Sequence, residues 1–178
     1  MTPHDLSTPA SPALDPEEIR MRKMTRRSKV IQELVQTEKD YLTDLELCIR
    51  EVVQPLRNLQ VNLGQDQAVI VTTYPPQLIL ETVSFTFCQV VDVDRLFTNT
   101  ETVCEVSAAL LHRLHRAIAE PDKEAVVIGE VFIQAKAALE DVYKIYCYHH
   151  DDANTSLKSY EKEEEIKQHF TTCVSALK

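Results

Sequence analysis

The longest continuous pattern in the chain runs from Asp15 to Leu56, and it dictates one long helix before anything else is considered. Asp15 can N-cap, Pro16 suits the first helical position, and Glu17 and Glu18 complement the positive end of the helix dipole. Apolar residues then recur at helical spacing at Val30, Ile31, Leu34, Val35, Tyr41, Leu42, Leu45, Cys48, Ile49, Val52 and Val53. Pro55 has no backbone donor and is expected to stop the run. Inside the stripe, where the period calls for another apolar side chain, stands Glu38. Two readings are open. Glu38 sits at the stripe edge and pairs with a Lys or Arg across a helix contact, since buried charges are rarely left unpaired; or the face is exposed there because a partner docks on it.

Composition narrows the function classes. With 178 residues and 44% hydrophobic content the chain can build one domain with a sizeable core. Its net charge of -9 argues against a general nucleic-acid binder, whose footprint is a basic face. The five cysteines are odd in number and contain no CxxC pair, so they read as reduced intracellular thiols. No signal peptide is visible and no uninterrupted apolar run reaches about 18 residues, so the expected compartment is the cytoplasm. Gly64 and Gly129 are the only two glycines, which leaves no phosphate-cradling loop; neither a bound nucleotide nor any other cofactor is expected.

Residues 1–14 carry Thr, Ser and Pro with almost no apolar clustering and read as a disordered leader, with Ser7-Thr8-Pro9 and Ser11-Pro12 as sites open to proline-directed phosphorylation. Arg20, Arg22, Lys23, Arg26, Arg27 and Lys29 make the start of the long helix basic. Such a cluster can serve as a membrane-surface or import patch. A solvated helix surface is favoured, because Glu17 and Glu18 offset the charge and the side chains point to several faces. From Asn58 to Asp94 there is no Lys or Arg, Pro75-Pro76 falls in the middle, and residues 69–74 and 83–87 read as two short strands. Helical spacing returns with Leu96, Phe97, Val103, Val106, Leu110, Leu111 and Leu114, a second stripe ending near Pro121. A third helix is expected from about Lys123 to Tyr146, a shorter fourth from Ala153 to Tyr160, and a fifth from near Glu161 to the C-terminus.

Other chemistry finds little support. Cys147, His149, His150, Asp151 and Asp152 crowd together, but adjacent helical residues point about 100° apart and cannot both ligate with Cys147 at zinc distances. His112 and His115 are half a site that nothing completes, so no metal is expected. No nucleophile sits on a sharp turn or in an electropositive niche, so hydrolase chemistry is not expected.

The stretch from Arg27 to Leu45, RSKVIQELVQTEKDYLTDL, resembles the first conserved block of Dbl-homology domains, the exchange module of Rho-family guanine nucleotide exchange factors. Ile128-Gly129-Glu130-Val131-Phe132 with Leu139-Glu140-Asp141-Val142-Tyr143-Lys144-Ile145-Tyr146-Cys147 resembles the middle block. The wording around Tyr146 to His150 is similar to the Tuba-like subgroup, in which the domain continues into a BAR domain and SH3 domains. The resemblance implies an all-α fold, an elongated helical bundle. It implies GDP release from a Rho-family small GTPase of Cdc42, Rac or Rho type as the activity, an exchange catalysis without covalent chemistry. It also implies that Glu38 meets the first switch of that GTPase, as the one site residue carried over.

Two departures from the family pattern qualify those expectations. Residues from about 59 to 89 have no counterpart in it and read as a non-helical insertion after the first long helix. The third conserved block, a Leu- and Lys-rich helix that supplies most contacts to the second switch, is not found before residue 178. The expectation is a partial Dbl-homology domain over 15–178. Its activity is weak or, in the alternative, absent, leaving a silent isoform that acts only as an interaction segment. A stripe short of its partner helix would also expose an apolar face and invite self-association. Which GTPase is engaged is not written in these residues.

Overall fold

The computed structural model describes residues 13, 15–58 and 91–177. The leader, both expected strands and the expected insertion therefore fall outside the described residues, apart from Ala13. Every regular element among the described residues is helical, as an all-α domain requires.

Helix α1, Pro16–Cys48, starts where local chemistry says it should. The Asp15 carboxylate accepts a hydrogen bond from the Glu17 amide at 3.2 Å, and Pro16 opens the first turn. At about 1.5 Å per residue the helix is roughly 50 Å long. It does not stop at Pro55. A π-helical turn, Ile49–Val53, follows directly, with the Gln54 amide bonded to the Ile49 carbonyl, and helix resumes over 54–58. This corrects the expected stop. A proline inside an α-helix removes one bond and presses its ring on the carbonyl four residues back, and a wider turn just ahead of it relaxes the crowding.

Past residue 91 the chain enters α2, Val93–Phe97, capped by the Asp92 carboxylate on the Arg95 amide at 3.0 Å. Thr98, with φ 47°, turns the chain, and α3 spans Thr100–Ile118. The second stripe is thus divided between two helices at Thr98-Asn99 rather than running through. Within α3 the expected face is the buried one: Val103, Leu110, Leu111 and Leu114, with Ser107 among them. Residues 119–127 form an irregular connection, and α4 spans Ile128–Tyr160. The third and fourth expected helices are therefore one, and it begins later than Lys123. No Gly or Pro interrupts 147–153, and its run of His and Asp lies on solvent-facing turns that a long helix tolerates. Helix α5, Glu164–Ser175, closes the described chain.

Two cores form along the rod of α1. The first gathers Val35 of α1, Leu110, Leu111 and Leu114 of α3, and Val131 and Ala135 of α4. The second gathers Val52, Val53, Leu56, Val93 and Cys173, with Phe97 and Phe170 against them. Leu114, Val53 and Val93 are the most completely buried large side chains, each worth about 1.5–3 kcal/mol of transfer free energy. Not all of the α1 stripe is buried, however. Val30 is 58% exposed and Tyr41 38% exposed, so the elements packed on this helix leave part of its stripe open to solvent. Ion pairs tie the second core's rim: Arg57 reaches Glu101 at 2.8 Å and Asp94 at 3.2 Å, and Arg95 holds both oxygens of Asp152 at 2.6 and 2.7 Å.

Candidate functional site

Glu38 lies near the middle of α1, one turn beyond Val35 and one turn before Leu42, so its carboxylate emerges at the edge of the first core. It is half-buried. The Ser107 hydroxyl, which projects from the buried face of α3, donates to Glu38 Oε1 at 2.6 Å. Among the described residues no Lys or Arg pairs with it: the ion pairs there involve Arg20, Arg22, Arg50, Arg57 and Arg95 with other acids. Of the two readings open from sequence, the cation pair is thus replaced by a neutral hydroxyl, which satisfies one oxygen and leaves the negative charge uncompensated.

Around this carboxylate the three helices present hydroxyls. Tyr41, one turn along α1, shares a hydrogen bond of 3.0 Å with the Tyr143 hydroxyl of α4. Tyr143 ionises well above the usual tyrosine range, chiefly because it is partly desolvated, then because of its hydrogen bond with Tyr41, with the Glu38 charge adding to the effect. The neutral phenol is therefore the form present at physiological pH. The neighbouring backbone is fixed by Asn99, whose amide donates to the Val142 carbonyl at 2.8 Å. Tyr41, Tyr143 and Tyr146 are 38%, 37% and 41% exposed, so an amphipathic aromatic surface adjoins the carboxylate. A charge without a counter-ion beside half-exposed tyrosines can accept hydrogen bonds from an incoming partner and bury their rings.

Sequence reading located Glu38 and missed its companions. Ser107 carried a usable signal. It is a polar residue inside the apolar stripe of α3, as Glu38 is in α1, and two polar interruptions in facing stripes can satisfy each other. Tyr41 and Tyr143 read as stripe residues, and their contact depends on how α1 and α4 flank α3, which neither helix encodes alone. The histidine and aspartate run of α4 is engaged elsewhere. Asp152 is held by Arg95, His150 Nε2 lies 3.1 Å from the Asn154 amide, and the His149 ring meets Tyr148 edge-on at 4.9 Å. Among the described residues no three His, Cys, Asp or Glu side chains are placed to hold a metal ion. Among them, too, no helix is long and apolar enough to cross a membrane. A separate groove of about 830 Å³, lined by Val52, Phe97, Leu157 and Phe170, lies at the second core.

Comparison with known proteins agrees with this helical arrangement. The family model described as RhoGEF domain matches residues 30–178. The chain belongs to the RhoGEF domain family, the Dbl-homology class. Among curated proteins it is 46% identical to Rho guanine nucleotide exchange factor 38 of Mus musculus over 179 residues, covering 100% of this chain and 20% of that protein. It is 35% identical to dynamin-binding protein of Mus musculus over 159 residues, covering 88% of this chain and 8% of that protein. It is 30% identical to Rho guanine nucleotide exchange factor 37 of Rattus norvegicus over 146 residues, covering 82% of this chain and 17% of that protein. The chain thus spans a fifth or less of each of these relatives. No solved structure matches it.

Proposed function

We propose that the chain is a guanine nucleotide exchange module for a Rho-family small GTPase, and that Glu38 is its contact to the first switch. The observation that carries the reading is the RhoGEF match over residues 30–178 together with Glu38 itself, a carboxylate with no counter-ion among the described residues, beside exposed tyrosines. Exchange of this kind makes and breaks no covalent bond. It works by differential binding: contacts stronger to the nucleotide-free GTPase than to the loaded one draw the switches open and release GDP. Each factor of ten in rate asks for about 1.4 kcal/mol of that preference. A single charge-assisted hydrogen bond supplies about 1.5–3 kcal/mol, so Glu38 alone accounts for at most about a hundredfold.

The test is release of fluorescent GDP from purified GTPases of Cdc42, Rac and Rho type, with Glu38→Ala in parallel. Acceleration that the substitution removes supports the reading. Acceleration that survives it would leave exchange in place and move the contact elsewhere. No acceleration by folded, helical protein on any of the three would favour a silent interaction segment.

A further inference from the structure

Six Lys and Arg side chains fall between positions 20 and 29 with no acid among them, in a chain whose net charge is -9. Three are committed within the fold. Arg20 pairs with Glu17 at 3.1 Å and Glu124 at 2.9 Å, and Arg22 pairs with Glu18 at 2.7 Å. Arg27 donates to the backbone carbonyls of Lys123 and Val126, clamping the connection that leads into α4. Lys23, Arg26 and Lys29 are exposed and have no ion pair among the described residues.

These three do not scatter. At about 100° per residue, positions 23, 26 and 29 occupy one flank of α1, and positions 19 and 30 fall on the same flank. The residues there are Ile19 and Val30, both exposed, and Val127, the last residue before α4, stands beside Lys23, Arg26 and Val30 with 61% of its surface open. Val30 is more exposed than Tyr41, the other open residue of the stripe. Long cationic side chains and solvent-facing aliphatic ones thus lie side by side on this flank.

We propose that this flank, built from Lys23, Arg26 and Lys29 with Ile19, Val30 and Val127, docks on an anionic lipid bilayer. Charge complementarity selects the partner and its orientation. A negatively charged surface attracts this face while the net charge of -9 disfavours a general approach of the chain. The interspersed aliphatic side chains favour a bilayer over an acidic protein segment. Headgroups and the acyl boundary accept cations and apolar groups in any lateral arrangement, the composition by which interfacial helices bind. Glu38 lies twelve residues along α1 from Arg26, about 18 Å away and about 120° round the helix. A chain docked by this flank therefore keeps the Glu38 face off the membrane. The proposal is independent of what Glu38 binds.

The experiment is co-sedimentation of the full chain with phosphatidylcholine vesicles, with and without phosphatidylserine, at low and high salt. The parent chain is expected to partition only onto the phosphatidylserine vesicles, and less as salt screens the contact. The triple variant Lys23→Gln, Arg26→Gln, Lys29→Gln is expected to lose about five-fold in partitioning per cation, about 100-fold in all. The pair Val30→Ser and Val127→Ser is expected to lose several-fold more than salt alone explains, with both variants as helical as the parent by circular dichroism. Equal partition onto neutral vesicles, equal partition of parent and triple variant, or no partition of the parent would overturn the proposal. Capture of a polyglutamate peptide through the same three cations, with no vesicle binding, would overturn it in favour of an acidic protein partner.

Discussion

Ser107 on α3 donates a 2.6 Å hydrogen bond to the carboxylate of Glu38 on α1, joining the two polar interruptions in facing apolar stripes. Ser107 is buried, so removing its hydroxyl takes from the half-buried carboxylate a hydrogen-bond donor that water cannot readily replace. Ser107→Ala is expected to cost about 1.5–3 kcal/mol in urea unfolding, the range for a hydrogen bond to a charged group. A double-mutant cycle with Glu38→Ala separates this bond from general packing. Additivity within about 0.5 kcal/mol would mean that the two residues do not act as a pair.

The Tyr41–Tyr143 contact sets an alkaline limit. Tyr143 in the fold ionises above the ordinary tyrosine value of about 10. A folded pKa raised above the unfolded one gives a contribution that is fully present below the unfolded value and is lost as pH rises through the folded one. Stability should therefore hold up to about pH 9 and fall from about pH 10 upward, with the Tyr143→Phe variant showing a shallower alkaline decline. Absorbance titration of tyrosinate should show one phenol fewer ionising in the normal range; a full complement there would contradict the contact.

At the acid end the clamp between α2 and α4 behaves in the opposite sense. Hydrogen bonding from Arg95, and its charge, hold the Asp152 carboxyl below the usual range. The contribution is present above the unfolded pKa of about 4 and disappears as pH falls through the folded value. Both partners are about half exposed, so the effect is small and screened by salt. Asp152→Asn should remove a salt-sensitive part of the acid transition. An acid transition identical to the parent's at low salt would count against the clamp.

Packing predicts a sharp contrast along the length of the bundle. Leu114, fully buried at the centre of the first core, should cost about 2–5 kcal/mol when cut to Ala, whereas exposed Val30 should stay within about 0.5 kcal/mol. Thermal unfolding followed at one concentration would rank the two. A large loss at Val30→Ala would mean that its flank is covered in solution.

What could be read from sequence was what is decided locally. Asp15 and Pro16 start α1 because a cap and a first-turn proline need only their nearest neighbours. The α3 stripe from Val103 to Leu114 was legible because its apolar spacing continues on both sides of Ser107. The end of α1 was misjudged because a π turn accommodates Pro55, and nothing in the composition of Ile49–Val53 announces one. The continuity of α4 was not legible because the apolar spacing lapses over 147–152, though that stretch contains no residue that ends a helix. At the candidate site, Glu38 stood out as a charge in an apolar period. Its partner Ser107 lies 69 residues away, and that contact is set by the relative rotation of two helices. The fates of Arg20 and Arg27 were hidden for the same reason: their contacts to Glu124 and to the Lys123 and Val126 carbonyls depend on where the 119–127 connection passes.

The order of the helices along the chain bears on how the first core assembles. Helices α3 and α4 follow one another through the short stretch 119–127 and share Leu110, Leu114, Val131 and Ala135. Val35 reaches the same core from the far side of residues 59–90, a closure whose entropic cost grows with the length of chain between the contacts. Contacts close in sequence form first and distant ones are the slow step. In a pulse-labelling experiment the amides of α3 and α4 should gain protection as an early hairpin. Those of α1 should follow in a later phase, one that slows when the intervening chain is lengthened and quickens when it is shortened.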